Sequence, residues 1–210
     1  MRLFLASYRF GAHRDRLLAM VGAPGRVAVI ANAADAWPAA ARSSAVTSDL
    51  VPLRRLGFDP FELDLRDYAG RISALPEVLG SVGFVWVRGG NTFVLRAQFA
   101  RCGADRVLPE LLATDALVYA GYSAGACLLT PSLRGLEAAD DPAEVLTTCG
   151  VQPIWDGLGL VDRPIVPHCG SDPDADAIVA RYRRDRVAHW ALSDEQVVVV
   201  EGERVEVVQL

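Results

Sequence analysis

The sequence has few of the residues that build metal or disulfide sites. Its 210 residues include three histidines and four cysteines, and no two cysteines form a CxxC pair. The cysteines, at 102, 127, 149 and 169, are widely spaced, which argues against a zinc site or a disulfide framework and fits reduced thiols. We therefore expect a cytoplasmic protein that holds no metal and no cofactor.

Long apolar runs and concentrated positive charge are also lacking. No apolar run reaches the length of a membrane span, and the N-terminal segment lacks the length and the cleavage site of a signal peptide. The 21 basic residues are outnumbered by 26 acidic ones and are scattered, apart from a group at 181–186 that fits the solvated end of an amphipathic helix. Neither a membrane nor a nucleic acid is an expected partner.

Apolar residues, in contrast, are abundant: 51% of the residues are hydrophobic, and they occur in short runs. No low-complexity linker divides it, so residues 1–210 are predicted to form a single domain. Short apolar runs alternate with helical stretches, which predicts an α/β fold with a mainly parallel sheet flanked by helices on both faces. The predicted strands are 2–6, 26–31, 60–65, 83–87, 116–121 and 164–168. Segments 196–200 and 204–209 predict a C-terminal β-hairpin, and helices are predicted before Gly57, at 71–79, after Gly90 and at 174–184.

The segment 121–125, GYSAG, fits the G-x-S-x-G pattern of a strand-to-helix elbow that exposes a serine nucleophile. A predicted strand precedes Ser123 and a helix start rich in small residues follows it. The serine needs a base, and the histidines are His13, His168 and His189. His168 ends a predicted strand and follows the serine in chain order, so it is the predicted base.

A carboxylate is expected to orient the histidine. The candidates between Ser123 and His168 are Glu137, Asp140, Asp141 and Glu144. Glu137 and Asp140 are favoured, although the sequence does not decide between the acids and most of them must only solvate a loop.

The loop Gly89-Gly90-Asn91-Thr92 opens a helix and offers backbone N–H groups to a developing oxyanion or a substrate carboxylate. Asn91 or Thr92 is predicted to cap that helix. A phosphate is less favoured, because the loop has neither a P-loop lysine nor G-x-G-x-x-G spacing. The neighbouring Arg88 is a candidate partner for an aspartyl side chain or a peptide carboxylate, with a surface arginine as the alternative.

Three motifs, VWVRGGNTF, AGYSAGA and IVPH, occur in an order that resembles the peptidase E (aspartyl dipeptidase) family of serine peptidases. The terminal ALSDEQVVVVEGERVEVV also resembles that family's closing strands. The resemblance implies a class I glutamine-amidotransferase-like, flavodoxin-like fold and hydrolysis through an acyl-enzyme on Ser123. It implies that His168 is the base and that N–H groups near Gly90 and Ala124 form the oxyanion hole.

The resemblance further implies a small peptide substrate, most specifically a dipeptide with N-terminal aspartate, and is compatible with a homodimer. Alternatives are a cyanophycinase-like or other amide hydrolase, and a non-catalytic module that binds a small ligand. The chain departs from the family pattern in three places: the acid after Pro131 is out of register, Arg88 replaces a small residue, and Cys169 replaces an aromatic one. These departures concern the third catalytic residue and the choice of substrate.

Overall fold

The structure is a computed structural model that describes residues 1–209. Its strands are β1 Arg2–Ala6, β2 Arg26–Ile30, β3 Asp59–Glu62, β4 Phe84–Val87, β5 Val118–Tyr122, β6 Ile165–Val166, β7 Trp190–Ala191, β8 Val197–Glu201 and β9 Arg204–Val208. Its α-helices are α1 Arg14–Val21, α2 Ala39–Arg55, α3 Leu75–Gly80, α4 Thr92–Cys102, α5 Ala104–Ala113, α6 Ala124–Cys127, α7 Glu144–Cys149 and α8 Pro173–Arg184.

The main sheet has seven strands in the order β3-β2-β4-β5-β1-β8-β9. Strands β3, β2, β4, β5 and β1 are parallel, whereas β8 and β9 are antiparallel additions at one side. Strands β6 and β7 form a separate two-stranded parallel sheet. The predicted α/β fold with a mainly parallel sheet and a terminal hairpin is confirmed.

Each inner strand buries both of its faces, because successive side chains of a strand point to opposite sides. In β1, Leu3 and Leu5 pack into one core with residues of α3, α4 and α5. Phe4 and Ala6 pack into a second core with residues of α1 and α2. The sheet is thus covered by helices on both faces, as the continuous apolar runs predict.

Several boundaries differ from the sequence prediction. The strand predicted at 164–168 is only the pair Ile165–Val166, and it lies outside the main sheet. The helix predicted at 71–79 begins as a 3₁₀ turn, and α3 starts at Leu75. The helix after Gly90 is divided into α4 and α5 at Gly103, whose left-handed φ of 79° ends the first helix. No helix among residues 1–209 is both long and apolar enough to cross a membrane.

The topology brings several chain segments to one edge of the sheet. The carboxyl ends of β4, β5 and β1 are adjacent, because these parallel strands are neighbours. The N-terminal end of β8 lies at the same edge, since β8 runs antiparallel to β1 and Ala6 pairs with Val197. In open α/β sheets the crevice outside the carboxyl ends of the strands is where ligands bind. This edge is therefore where a functional site is expected.

Candidate active site

Ser123 lies on the turn that joins β5 to the short helix α6. Its φ of 52° is in the left-handed region, which is unusual for a residue with a side chain and is typical of strained nucleophile elbows. The Ser123 N–H donates to the Ala6 carbonyl at 3.1 Å, which ties the turn to β1. Gly125 must lack a side chain, because an added Cβ would overlap the carbonyl oxygen of Val87. The turn therefore holds the serine at the carboxyl edge of the sheet.

His168 follows β6 and faces the serine. Its Nε2 lies 3.1 Å from Ser123 Oγ. The His168 N–H donates to the hydroxyl of buried Ser7 at 2.7 Å, so a residue that directly follows β1 holds the histidine backbone. The ring of Tyr8 approaches the imidazole edge-on, with the centroids 6.3 Å apart. The structure thus brings together the predicted nucleophile and the predicted base.

The carboxylate behind His168 belongs to Asp194, in the loop between β7 and β8. Its Oδ1 lies 2.6 Å from His168 Nδ1, while its Oδ2 accepts a hydrogen bond from Ser171 Oγ at 2.9 Å. Burial alone would raise the pKa of Asp194, but the hydrogen bonds from His168 and Ser171 outweigh it and the pKa is lowered. An ionised Asp194 accepts a hydrogen bond from the Nδ1–H of His168, and this tautomer leaves Nε2 unprotonated and able to accept the Ser123 hydroxyl proton.

The structure does not bring Glu137 or Asp140, the two acids favoured from the sequence, into hydrogen-bond contact with His168. Glu137 is exposed, and its carboxylate accepts the Gly135 N–H. Asp140 accepts the N–H of Thr92 at 2.9 Å and lines the cavity in front of Ser123, and burial raises its pKa. Neither forms a hydrogen bond with His168, whose Nδ1 is bound by Asp194.

The sequence prediction considered only acids that lie between Ser123 and His168 in the chain, and Asp194 lies after the histidine. The chemistry of a triad fixes geometry and not chain order. No local sequence signal marks Asp194, which reaches the site because β8 pairs antiparallel with β1 and puts the residues just before Val197 beside Ala6. That edge also carries Ser123, because β1 and β5 are paired.

Backbone donors without acceptors lie close to the serine, in the loop after β4 and at the start of α6. The N–H groups of Gly90 and Ala124 have no acceptor among the described residues. Gly90 has a φ of 144°, and a Cβ there would lie 2.5 Å from the Ala33 carbonyl oxygen. A Cβ at Gly89 would lie 2.8 Å from Ser123 Cβ, so only glycine admits the serine at this distance. This arrangement offers donors to an oxyanion formed next to Ser123.

Asn91 contributes to the loop through its side chain rather than through a free donor. Its N–H donates to the Ala33 carbonyl at 2.8 Å, and its Oδ1 caps α4 by accepting the N–H groups of Phe93 and Val94. Its Nδ2 donates to Glu144 Oε2 at 2.8 Å. Of the two predicted N-cap residues, Asn91 is the one that caps the helix. Its backbone N–H and its side-chain amide are hydrogen-bonded to other protein groups.

Arg88 is buried, not a surface arginine. Its Nη1 donates to Asp49 Oδ2 at 2.9 Å and to the Ala45 carbonyl at 2.7 Å, both on α2. Its Nε donates to the Gly89 carbonyl at 3.0 Å. Burial raises the pKa of Asp49, although the positive charge of Arg88 and hydrogen bonds from the Trp86 and Tyr122 side chains act in the opposite direction.

Two cavities share Ser123 and His168 among their lining residues. One has a volume of about 420 Å³, within the size range of small-molecule sites, and carries the carboxylates of Asp140, Asp141 and Glu144. The other, about 170 Å³, is lined by Tyr8, Trp37, Arg88, Gly89, Gly90, Tyr122, Ser123 and His168. The candidate catalytic pair is therefore open to a small molecule between an acidic side and a side that holds a guanidinium.

The chain is similar in sequence to known peptidases. The model of Peptidase family S51 matches residues 30–208. The uncharacterized peptidase Lin0382 of Listeria innocua is 33% identical over 158 residues, which is 73% of this chain and 71% of the relative. Lmo0363, an uncharacterized peptidase of Listeria monocytogenes, is 28% identical over 156 residues, 73% of this chain and 72% of the relative.

Solved structures are similar over the whole chain. A crystal structure assigned to peptidase E from Listeria monocytogenes EGD-e has a TM-score of 0.81 and 25% identity, covering 100% of this chain and 98% of that one. A peptidase from an acI-B1 Actinobacterium shares the fold with a TM-score of 0.66 and 16% identity, covering 99% of this chain and 86% of that one.

Proposed function

This chain belongs to peptidase family S51, and we propose that it hydrolyses short peptides by a serine mechanism. Membership of the family, together with the match to a structure assigned to peptidase E, confirms the resemblance carried by the sequence motifs. The observation that carries the proposed mechanism is the line of hydrogen bonds from Ser123 Oγ to His168 Nε2, at 3.1 Å, and from His168 Nδ1 to Asp194, at 2.6 Å. The nucleophile thus contacts the base, and the base contacts the orienting carboxylate.

In the proposed reaction Ser123 Oγ attacks the peptide carbonyl while His168 Nε2 takes the hydroxyl proton. Asp194 stabilises the imidazolium, and the N–H groups of Gly90 and Ala124 donate to the oxyanion. Collapse of this intermediate breaks the C–N bond, and the imidazolium protonates the departing amine. Water, deprotonated by His168, then hydrolyses the acyl ester and restores the serine.

The cavity walls support a peptide with a free N-terminus and an acidic first side chain, such as an aspartyl dipeptide. Asp140, Asp141 and Glu144 line the larger cavity and would attract the peptide ammonium group. On the other side, Nη2 of Arg88 has no acceptor among the described residues, which suits it to a substrate carboxylate. Both walls meet at Ser123, so a peptide held between them would present its first carbonyl to the nucleophile.

The test is hydrolysis of a panel headed by Asp-Leu, with Glu-Leu, Asn-Leu and Ala-Leu, by the wild type and Ser123→Ala. We expect Asp-Leu to be cleaved fastest and the variant to lose ~10⁴-fold or more in kcat. Ser43→Ala, at an exposed serine of α2, is the matched control and should keep wild-type rates.

Cleavage of the panel without preference for Asp-Leu would contradict the acidic specificity and leave the serine mechanism standing. If the wild type cleaves none of the dipeptides, the dipeptidase proposal fails. A longer aspartate-containing polymer or a non-catalytic ligand would then be the better account.

A further inference from the structure

The peptide between Gly89 and Gly90 is held from outside the site by a chain of buried polar side chains. Asp49 of α2 accepts hydrogen bonds from Trp86 Nε1 at 3.2 Å and from the Tyr122 hydroxyl at 3.2 Å. The same carboxylate binds Arg88 Nη1 at 2.9 Å, with side-chain exposures of 10% for Arg88 and 1% for Asp49. Buried residues outside the substrate cavity thus hold the guanidinium in position.

Arg88 acts on the loop through its Nε, which donates to the Gly89 carbonyl at 3.0 Å. The carbonyl of Gly89 and the N–H of Gly90 belong to one peptide unit, and in a trans peptide these groups point in opposite directions. A guanidinium that holds the carbonyl therefore fixes the direction of the N–H. The Gly90 N–H has no acceptor among the described residues, and Gly90 lines the smaller cavity together with Ser123.

The other end of this loop is also fixed, because the Asn91 N–H donates to the Ala33 carbonyl at 2.8 Å. Without these two anchoring hydrogen bonds the Gly89–Gly90 peptide could adopt several orientations, since glycine has few steric limits on its backbone dihedral angles. A positive charge at the Gly89 oxygen also polarises the peptide and makes its N–H a stronger donor. Both effects favour negative charge on a substrate oxygen beside Ser123.

We propose that Arg88, anchored by Asp49, is a positioning residue that aligns and polarises the Gly89–Gly90 peptide as an oxyanion donor. This inference rests on the proposed serine mechanism but adds a role that the substrate-binding hypothesis for Arg88 does not contain. A substrate contact would act through Nη2 on acidic substrates alone. A positioning role acts through Nε on every substrate that forms an oxyanion.

The test uses a neutral ester, p-nitrophenyl acetate, so that pairing with an acidic side chain plays no part. Removal of an oxyanion donor lowers kcat by about 10² to 10³-fold, so its misalignment in Arg88→Met should lower kcat by roughly 10 to 100-fold. We expect an unchanged KM and an unchanged midpoint on the acid side of the pH–rate profile, because His168 keeps its partners. Arg88→Lys should remain folded and lower kcat by a similar factor, since one ammonium group cannot bind both Asp49 and the Gly89 carbonyl.

Asp49→Asn separates positioning from substrate contact, because Asp49 is buried and does not line either cavity at Ser123. Asp49→Asn should lower kcat for the ester as the Arg88 variants do. The double variant Asp49→Asn/Arg88→Met should have a kcat no lower than that of the less active of the two single variants. Arg96→Met breaks another partly buried ion pair, with Asp105 at 3.0 Å, and is the matched control for loss of such a pair. Thermal unfolding of each variant identifies any loss of kcat that results from a less stable fold.

Wild-type kcat in both Arg88 variants would overturn the inference. So would a loss confined to acidic peptides, which would make Arg88 a substrate contact, or a shift of the acid-side midpoint, which would mean that it acts through His168. If the wild type turns over no ester, the rate of Ser123 sulfonylation by phenylmethylsulfonyl fluoride replaces kcat. Equal rates in wild type and variants would then overturn the inference, whether or not peptides are cleaved.

Discussion

Replacement of Asp194 by asparagine tests the residue that the sequence did not identify. Asparagine keeps the size of the side chain but removes the charge, and its amide favours the histidine tautomer that carries the proton on Nε2. A protonated Nε2 cannot accept the proton of Ser123, although the atoms remain 3.1 Å apart. The hydrogen bond that is lost, from His168 Nδ1 to Asp194 Oδ1, is 2.6 Å long.

The same change in a fully buried triad lowers kcat by about 10⁴-fold, which corresponds to about 5.4 kcal/mol of transition-state stabilisation. The Asp194 side chain is 38% exposed, so water can replace part of what the carboxylate provides. We therefore expect Asp194→Asn to lower kcat for Asp-Leu by roughly 10² to 10³-fold, with little change in KM.

Steady-state hydrolysis of Asp-Leu, together with thermal unfolding, measures this effect. Glu137→Gln, at an exposed carboxylate that does not contact His168, is the control and should retain kcat. The reasoning is refuted if Asp194→Asn stays within 10-fold of the wild type while Asp140→Asn loses 100-fold or more.

Two further predictions concern stability, measured as the free energy of unfolding in urea. Gly125→Ala should lower the free energy of unfolding by about 1–3 kcal/mol, because the added Cβ would overlap the Val87 carbonyl. Gly80→Ala is the control, since an added Cβ there meets no other atom. Equal stability of the two alanine variants would contradict this prediction. Burial alone would raise the pKa of Asp64, but hydrogen bonds from Arg66 lower it to about 2. A lowered pKa stabilises the folded state above the unfolded value of 3.8 and ceases to do so as pH falls towards about 2. After allowance for solvent screening, Asp64→Asn should remove roughly 1 kcal/mol at pH 7 and flatten the acid slope; an unchanged slope would contradict it.

The parts of the site that were predicted from the sequence depend on local chain geometry. Ser123 follows a buried strand and precedes small residues, so its elbow can be read from a few adjacent positions. The GGNTF loop is equally local, because Asn91 caps the helix that begins at the next residue. The chain has only three histidines, which limited the choice of base, and the structure brings His168 within 3.1 Å of Ser123.

The parts that were missed depend on contacts between distant segments. Asp194 reaches His168 because β8 pairs with β1, and the short apolar runs do not specify their partners. The position of Arg88 depends on Asp49, which is 39 residues earlier and buried under the same sheet face as Trp86. A buried ion pair of this kind has no local sequence signature, so the sequence left open whether Arg88 is buried or on the surface.

The central claim, that Ser123 is a nucleophile activated by His168, is tested most directly by covalent labelling with a fluorophosphonate. Mass spectrometry of the digested protein should find the adduct on the peptide that contains Ser123. Labelling should be absent in Ser123→Ala and slowed about 100-fold or more in His168→Ala. An adduct on another residue such as Cys169, or unchanged labelling without His168, would contradict the account.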